Sequence, residues 1–157
     1  MVGIVGDGED VFATLHHAAT TLDALRVPYE RRFLSAHHDP DGLRAYAEGA
    51  WGRGVRVIVA GEKGAAHLAG MIKSFAGAVR VLAVLLTTEE LRGLDSVASV
   101  LAMPAKVPVA VMGFDKAGAV NAGVFAADEF ADRPEIAAAL AEYRRRYAEE
   151  VRAARLP

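Results

Sequence analysis

His37 and His67 each stand just past a short segment that reads as a strand, Tyr29–Leu34 and Val55–Ala60 respectively. Each also precedes, or opens, a helical pattern. Histidine is the side chain that gives and takes a proton near neutral pH. Where strands end and helices begin, open α/β sheets bind their ligands. Helix N-termini there offer free N–H groups and the positive end of a dipole to anions. The flanking residues are Ser35-Ala36-His37-His38-Asp39-Pro40 and Gly61-Glu62-Lys63-Gly64-Ala65-Ala66-His67-Leu68-Ala69-Gly70-Met71. Taken alone, His37 would cap the helix that begins near Pro40, and His67 would be a buried histidine bonded to backbone. With the two set together at strand ends, His37 points to catalysis or substrate contact, while His67 stands open between that role and the buried one. His16 and His17 fall inside a helix away from those ends and read as surface or interface residues. The five histidines show no metal-ligand spacing.

The elements that must position this pair follow from the switching period of the chain. Val2–Val5 reads as a first strand, and Val11–Leu25 carries Leu15, Ala18, Ala19, Leu22 and Leu25 at helical spacing. Tyr29–Leu34 is a strand. A helix starts at Pro40 and runs to about Gly52, with Leu43, Tyr46 and Ala47 inward. Val55–Ala60 and Val79–Leu86 read as buried strands, and Val107–Met112 as a fifth strand. Gly64–Phe75, Leu94–Leu101 and Lys116–Phe130 read as helices. After Pro134 comes a last helix, Glu135 to about Arg155, expected to pack on a neighbour or a partner subunit. Alternating strands and helices imply a parallel sheet covered on both faces. The expected organisation is a single domain over residues 1–157, with a core at 1–132 and the appended helix at 133–157.

Composition narrows the function classes. The 157 residues suit one domain, and 53% hydrophobic content suffices for a sizeable core. A net charge of -2 leaves no basic footprint for nucleic acid. The absence of cysteine excludes disulfides, thiolate catalysis and cysteine-ligated zinc. No apolar run is long enough to span a bilayer, and a cytoplasmic protein is the expectation.

The order of motifs resembles the bacterial carboxyaminoimidazole ribonucleotide mutases and aminoimidazole ribonucleotide carboxylases of purine synthesis. The matching segments are Ser35-Ala36-His37, Gly64-Ala65-Ala66-His67-Leu68, Gly70-Met71, Gly93-Leu94-Asp95-Ser96, Met103-Pro104 and Lys116-Ala117-Gly118-Ala119-Val120-Asn121-Ala122. The resemblance implies a flavodoxin-like three-layer α/β/α sandwich with a five-stranded parallel sheet and an added C-terminal helix. It also implies a homo-octamer with active sites between subunits. The reaction it implies moves a carboxylate onto or off an aminoimidazole carbon, with no metal or other cofactor. The partners would be a small-molecule substrate and carbon dioxide or bicarbonate. The catalytic histidine would be His37. Decarboxylation leaves an electron-rich ring carbon and carboxylation removes a proton from it, so one group of near-neutral pKa can serve both steps. The substrate-binding set would fall on Gly8, Asp10, Ser35, His38, Lys63, Gly64, Ala65, His67 and Leu68, with His67 and the N–H groups of Gly64 and Ala65 lining a dry pocket for carbon dioxide.

The departures from that family pattern gather where the substrate phosphate would lie. The family's Gly-Ser-x-Ser-Asp loop is here Gly6-Asp7-Gly8-Glu9-Asp10-Val11. Gap-free matching puts Gly8 at the phosphate serine; sliding by one residue puts Asp7 there. His38 stands where an arginine fork is usual. Glu62-Lys63 replaces small residues, Lys63 offering a replacement cation and Glu62 opposing it. Ala83-Val84-Leu85 replaces a Gly-Val-Pro turn, and Ala102 a glutamine. Asp7, Glu9 and Asp10 are expected to crowd the loop with negative charge. The leading expectation is therefore a carboxylase, decarboxylase or carboxy-group mutase of this type acting on a divergent substrate. An authentic carboxyaminoimidazole ribonucleotide mutase and a non-catalytic ligand-binding oligomer are the alternatives.

Overall fold

Strands and helices alternate through the chain, as the period switches predict. The computed structural model describes residues 1–154. Its elements are β1 (Val2–Gly6), α1 (Glu9–Ala24), β2 (Tyr29–Phe33), α2 (Pro40–Ala50), β3 (Val57–Lys63), α3 (His67–Phe75), β4 (Arg80–Leu86), α4 (Leu94–Leu101), β5 (Ala110–Phe114), α5 (Asp115–Asp128) and α6 (Pro134–Ala153). Arg155, the expected end of the last helix, lies outside the described residues. The strands form one parallel sheet in the order β2-β1-β3-β4-β5. This is the flavodoxin-like order, with all strands ending on one edge.

The central strands are buried on both faces, and their alternate residues feed two cores. Ile4, Val59 and Val84 face α1, α5 and the first turns of α6. Val5, Ile58, Ala60 and Ala83 face α2 and α3, with Val100 of α4 at the margin. This division is the three-layer sandwich. Ile136 and Leu140 bring α6 onto this chain's own core, while Tyr147 and Val151 further along it stay exposed.

Three boundaries shift furthest from the sequence expectation. β3 does not stop at Ala60 but continues through Gly61, Glu62 and Lys63, which register against Val84, Leu85 and Leu86 of β4. The ladder to β4 outweighs the turn-like composition of that stretch. α3 begins at His67 rather than Gly64, because Gly64 takes a left-handed φ of 71° in the intervening turn. β5 begins at Ala110 rather than Val107. Pro108 has no N–H for the ladder and Lys106 sits at φ 76°, so the chain stays irregular until both are passed.

Candidate active site

The turns that leave β1, β2 and β3 meet at the C-terminal edge of the sheet. There His37 Nε2 and His67 Nδ1 lie 2.8 Å apart. The rings meet edge-on, with centroids 4.8 Å apart. Both side chains are exposed to solvent, so His67 is not the buried, backbone-bonded histidine it could have been. Nor does His37 cap α2. Asp39 does that, accepting a 2.9 Å hydrogen bond from Gly42 N–H, with Pro40 in the first helical turn. His37 is thereby left free to face His67.

The imidazole pair forms a wall shared by two clefts. One, of about 110 Å³, is closed by Asp7, Val11, Glu62, Lys63, Ala65 and Leu68. The other, of about 310 Å³, is mostly apolar and carries Gly70, Met71, Met103, Pro104 and Val107. The Gly64–Ala66 turn is held from behind by α4. Ser96 Oγ donates to the Gly64 carbonyl, and Ser99 Oγ accepts from Ala66 N–H at 3.2 Å. The motif around Asp95-Ser96 is thus legible as a brace for the histidine turn.

The other sequence-predicted residues divide. Ala65 and Leu68 line the small cleft, and Gly64 shapes its rim. Ser35 is buried and lies behind: its Oγ accepts from His38 N–H at 3.2 Å and is 3.1 Å from His38 Nδ1. Ser35 and His38 therefore stabilise the turn that presents His37. Lys116–Ala122 lies away from both clefts. Gly118 in that segment packs directly on the Gly113 carbonyl, where a Cβ would come within 2.4 Å. His16 and His17 sit on α1, outside both clefts.

At the β1–α1 turn one of the three acids expected to crowd the loop, Asp10, is paired. Lys63 reaches across from β3 and pairs with Asp10 Oδ2, while Asp10 Oδ1 accepts from Val11 N–H at 2.9 Å. The Lys63 hydrogen bond holds the Asp10 carboxyl below the usual carboxylate range. Gly8 adopts φ 142° and ψ 152° at the N-cap of α1 and supplies no side-chain cap. That conformation is essentially reserved to glycine, so the turn is rebuilt around Gly8 and a serine would strain it. Glu62 does not oppose Lys63. Adjacent residues of a strand point to opposite faces, and Glu62 turns inward, 2% exposed. Its carboxyl accepts from the Ala69 and Leu68 N–H groups in the first turn of α3. Burial pushes that carboxyl up to about 7, against the pull of these two hydrogen bonds.

The AIR carboxylase family model matches residues 1–150. The chain belongs to that family. N5-carboxyaminoimidazole ribonucleotide mutase of Pseudomonas aeruginosa is 43% identical over 152 residues, covering 96% of this chain and 93% of that one. The enzyme of the same name from Bacillus subtilis is 46% identical over 127 residues, covering 81% and 78%. A crystal structure of Treponema denticola PurE superposes with a TM-score of 0.84 over 96% of this chain and 92% of that chain, at 20% identity. That likeness carries the fold alone. As a member of the AIR carboxylase family, this chain has mutases among its similar relatives, and the expectation of a divergent substrate is not supported. The authentic-mutase alternative fits better. The altered phosphate loop weighs less once Asp10 is paired and Gly8 is seen to be a backbone requirement.

Proposed function

We propose that this protein is an N5-carboxyaminoimidazole ribonucleotide mutase, moving a carboxylate from the exocyclic nitrogen of the substrate to its ring carbon. The observation that carries the reading is the His37–His67 contact at the strand ends, in a chain 43% identical to a mutase over nearly its whole length.

The chemistry balances with one proton borrowed and returned. His37 donates a proton to the exocyclic nitrogen as the N–C bond to the carboxylate breaks. The products of that half-reaction are carbon dioxide and the neutral aminoimidazole. The electron-rich ring carbon then attacks carbon dioxide. His37, now the base, removes the proton from that carbon and restores the aromatic ring. His67 orients the His37 ring and shares its proton through the 2.8 Å contact. The small cleft beside the pair, about 110 Å³, keeps carbon dioxide near the ring carbon between the two half-reactions. No cofactor enters this scheme.

The phosphate of the ribonucleotide would lie at the N-terminus of α1. The free N–H groups of that turn and the Lys63 ammonium would take the place of serine and arginine. Asp10 holds Lys63 until the phosphate, with its larger charge, replaces it. The protein would work as a homo-oligomer, an octamer by the resemblance. Leu94 and Leu101 on α4, 69% and 79% exposed, supply apolar surface for subunit contacts.

The test is conversion of the nucleotide substrate by purified protein, against a His37→Asn variant checked for folding by circular dichroism. Wild-type turnover with loss in the variant supports the reading. Turnover by the variant at the wild-type rate refutes the role of His37, and no turnover by either refutes the function.

A further inference from the structure

Glu62 is a buried titratable group that the proposed reaction does not use. Its side chain leaves the end of β3 and folds onto the first turn of α3, where Ala69 and Leu68 N–H groups donate to it. Ala66, the N-cap residue of α3, makes no side-chain cap hydrogen bond. The carboxyl from the strand thus takes the anion-binding end of the helix that begins with His67. Glu62 is also one of the residues that line the small histidine cleft.

Resting on the mutase reading, we propose that Glu62 is a specificity-determining residue. It makes the cleft discriminate by charge, disfavouring a ligand carboxylate when Glu62 is ionised and tolerating one when Glu62 carries a proton. A ligand without the carboxylate is indifferent to that proton. The physical reason is like-charge repulsion from a carboxylate that is itself buried and so poorly screened by water. Burial, which raises the Glu62 carboxyl to about 7, brings the two states within reach of ordinary pH.

The other charged groups around Glu62 are accounted for. Asp7 of the β1–α1 turn, His37 of the β2–α2 turn and His67 of α3 share the cleft. Lys63, next along β3, is paired with Asp10 of α1. Asp95 of α4 lies on the far side of Gly64, where a Cβ would meet its Oδ2 at 3.7 Å. β4 faces Glu62 with Leu85, which is apolar. Of these side chains, only that of Glu62 accepts a hydrogen bond from the N–H groups of the first turn of α3.

The experiment compares two ligands that differ by the carboxylate alone, carboxyaminoimidazole ribonucleotide and aminoimidazole ribonucleotide. Their dissociation constants are measured by equilibrium dialysis from pH 5.5 to 8.5. The ratio of the two cancels the shared phosphate titration. In the wild-type protein, the carboxylated ligand should lose about tenfold in relative affinity across that range. In Glu62→Gln, and in Glu62→Ala should the amide variant fold poorly, the ratio should change by less than about threefold. A ratio with the same pH dependence in the variants as in the wild type overturns the inference and leaves the mutase reading intact. Failure of both ligands to bind the wild type at any pH overturns both.

Discussion

The histidine wall and the β1–α1 turn sit at the same sheet edge and have been treated differently by the sequence. At the wall, the residue types expected for carbon chemistry are present and meet: His37 and His67 are in hydrogen-bond contact, and α4 braces the turn that carries His67. At the turn, the residue types expected for an anion are gone, and different ones stand in their place. Gly8 takes a glycine-only conformation, and Lys63 comes from the neighbouring strand to pair with Asp10. Proton transfer needs one group of suitable pKa at one place, which few substitutions can supply. Holding a phosphate needs positive potential and N–H donors, which several arrangements can supply. The chemical end of such a site is therefore constrained in residue type, whereas the anion end is constrained only in charge and position.

The comparison can be broken first at the wall. His37→Asn should lower kcat by about 10²–10⁴-fold with folding unchanged, read by steady-state assay and circular dichroism. A smaller drop would mean that the wall is not where the proton moves. At the turn, Lys63→Ala should raise KM roughly ten- to hundredfold and leave kcat nearly unchanged. A fall in kcat with KM intact would place Lys63 in the chemistry instead of the anion site.

A third expectation concerns stability, where Glu62 links the two regions. Its folded pKa, about 7, lies above the usual 4.5. Below pH 4.5 the group is protonated in both folded and unfolded chains and has no effect. As pH rises from there to about 7, the unfolded chain gives up the proton first, and folding stability falls. Above 7 the loss is complete, at roughly 3 kcal/mol. Glu62→Gln should therefore gain stability relative to wild type at pH 8 compared with pH 5, as read from denaturant midpoints. Equal differences at both pH values would place the carboxyl in a less demanding environment. The smallest effect expected is for Asp10→Asn, which frees Lys63 and should lower KM by about two- to threefold.

Subunit assembly stands beside these as a check on the exposed apolar residues of α4. Light scattering should return a mass several times the 16.6 kDa of one chain. A monomer would leave Leu94 and Leu101 uncovered and remove any site shared between subunits.

How much of this could be read from the residues differs in the same way. The buried strands announced themselves because both faces are covered, which makes Val57–Ala60 and Val81–Leu86 continuous apolar runs. The meeting of His37 and His67 was legible because both follow segments that read as strands, and parallel strands bring their ends together, even though the edge strand before His37, with Glu30, Arg31 and Arg32, is no apolar run. The end of β3 was not legible. Gly61-Glu62-Lys63 has the composition of a turn, and only pairing with β4 keeps it extended. From that miss followed the wrong geometry for Glu62 and Lys63, because side-chain alternation along a strand separates them whereas a loop does not. The Asp10–Lys63 pair joins residues far apart in the chain, and no local pattern signals such a contact. β5 was displaced because Val107 and Val109 look like strand residues, while the Pro108 between them governs.

The central claim is that one carboxyl group is moved within this site, with carbon dioxide retained beside the histidine wall. The most direct measurement uses N5-carboxyaminoimidazole ribonucleotide labelled with carbon-13 in its carboxylate, in buffer with unlabelled bicarbonate. The purified protein should convert it to carboxyaminoimidazole ribonucleotide, with the label kept on the ring carboxylate, and His37→Asn should not. Loss of the label to the bicarbonate pool during turnover, or no conversion of the nucleotide at all, would contradict the account.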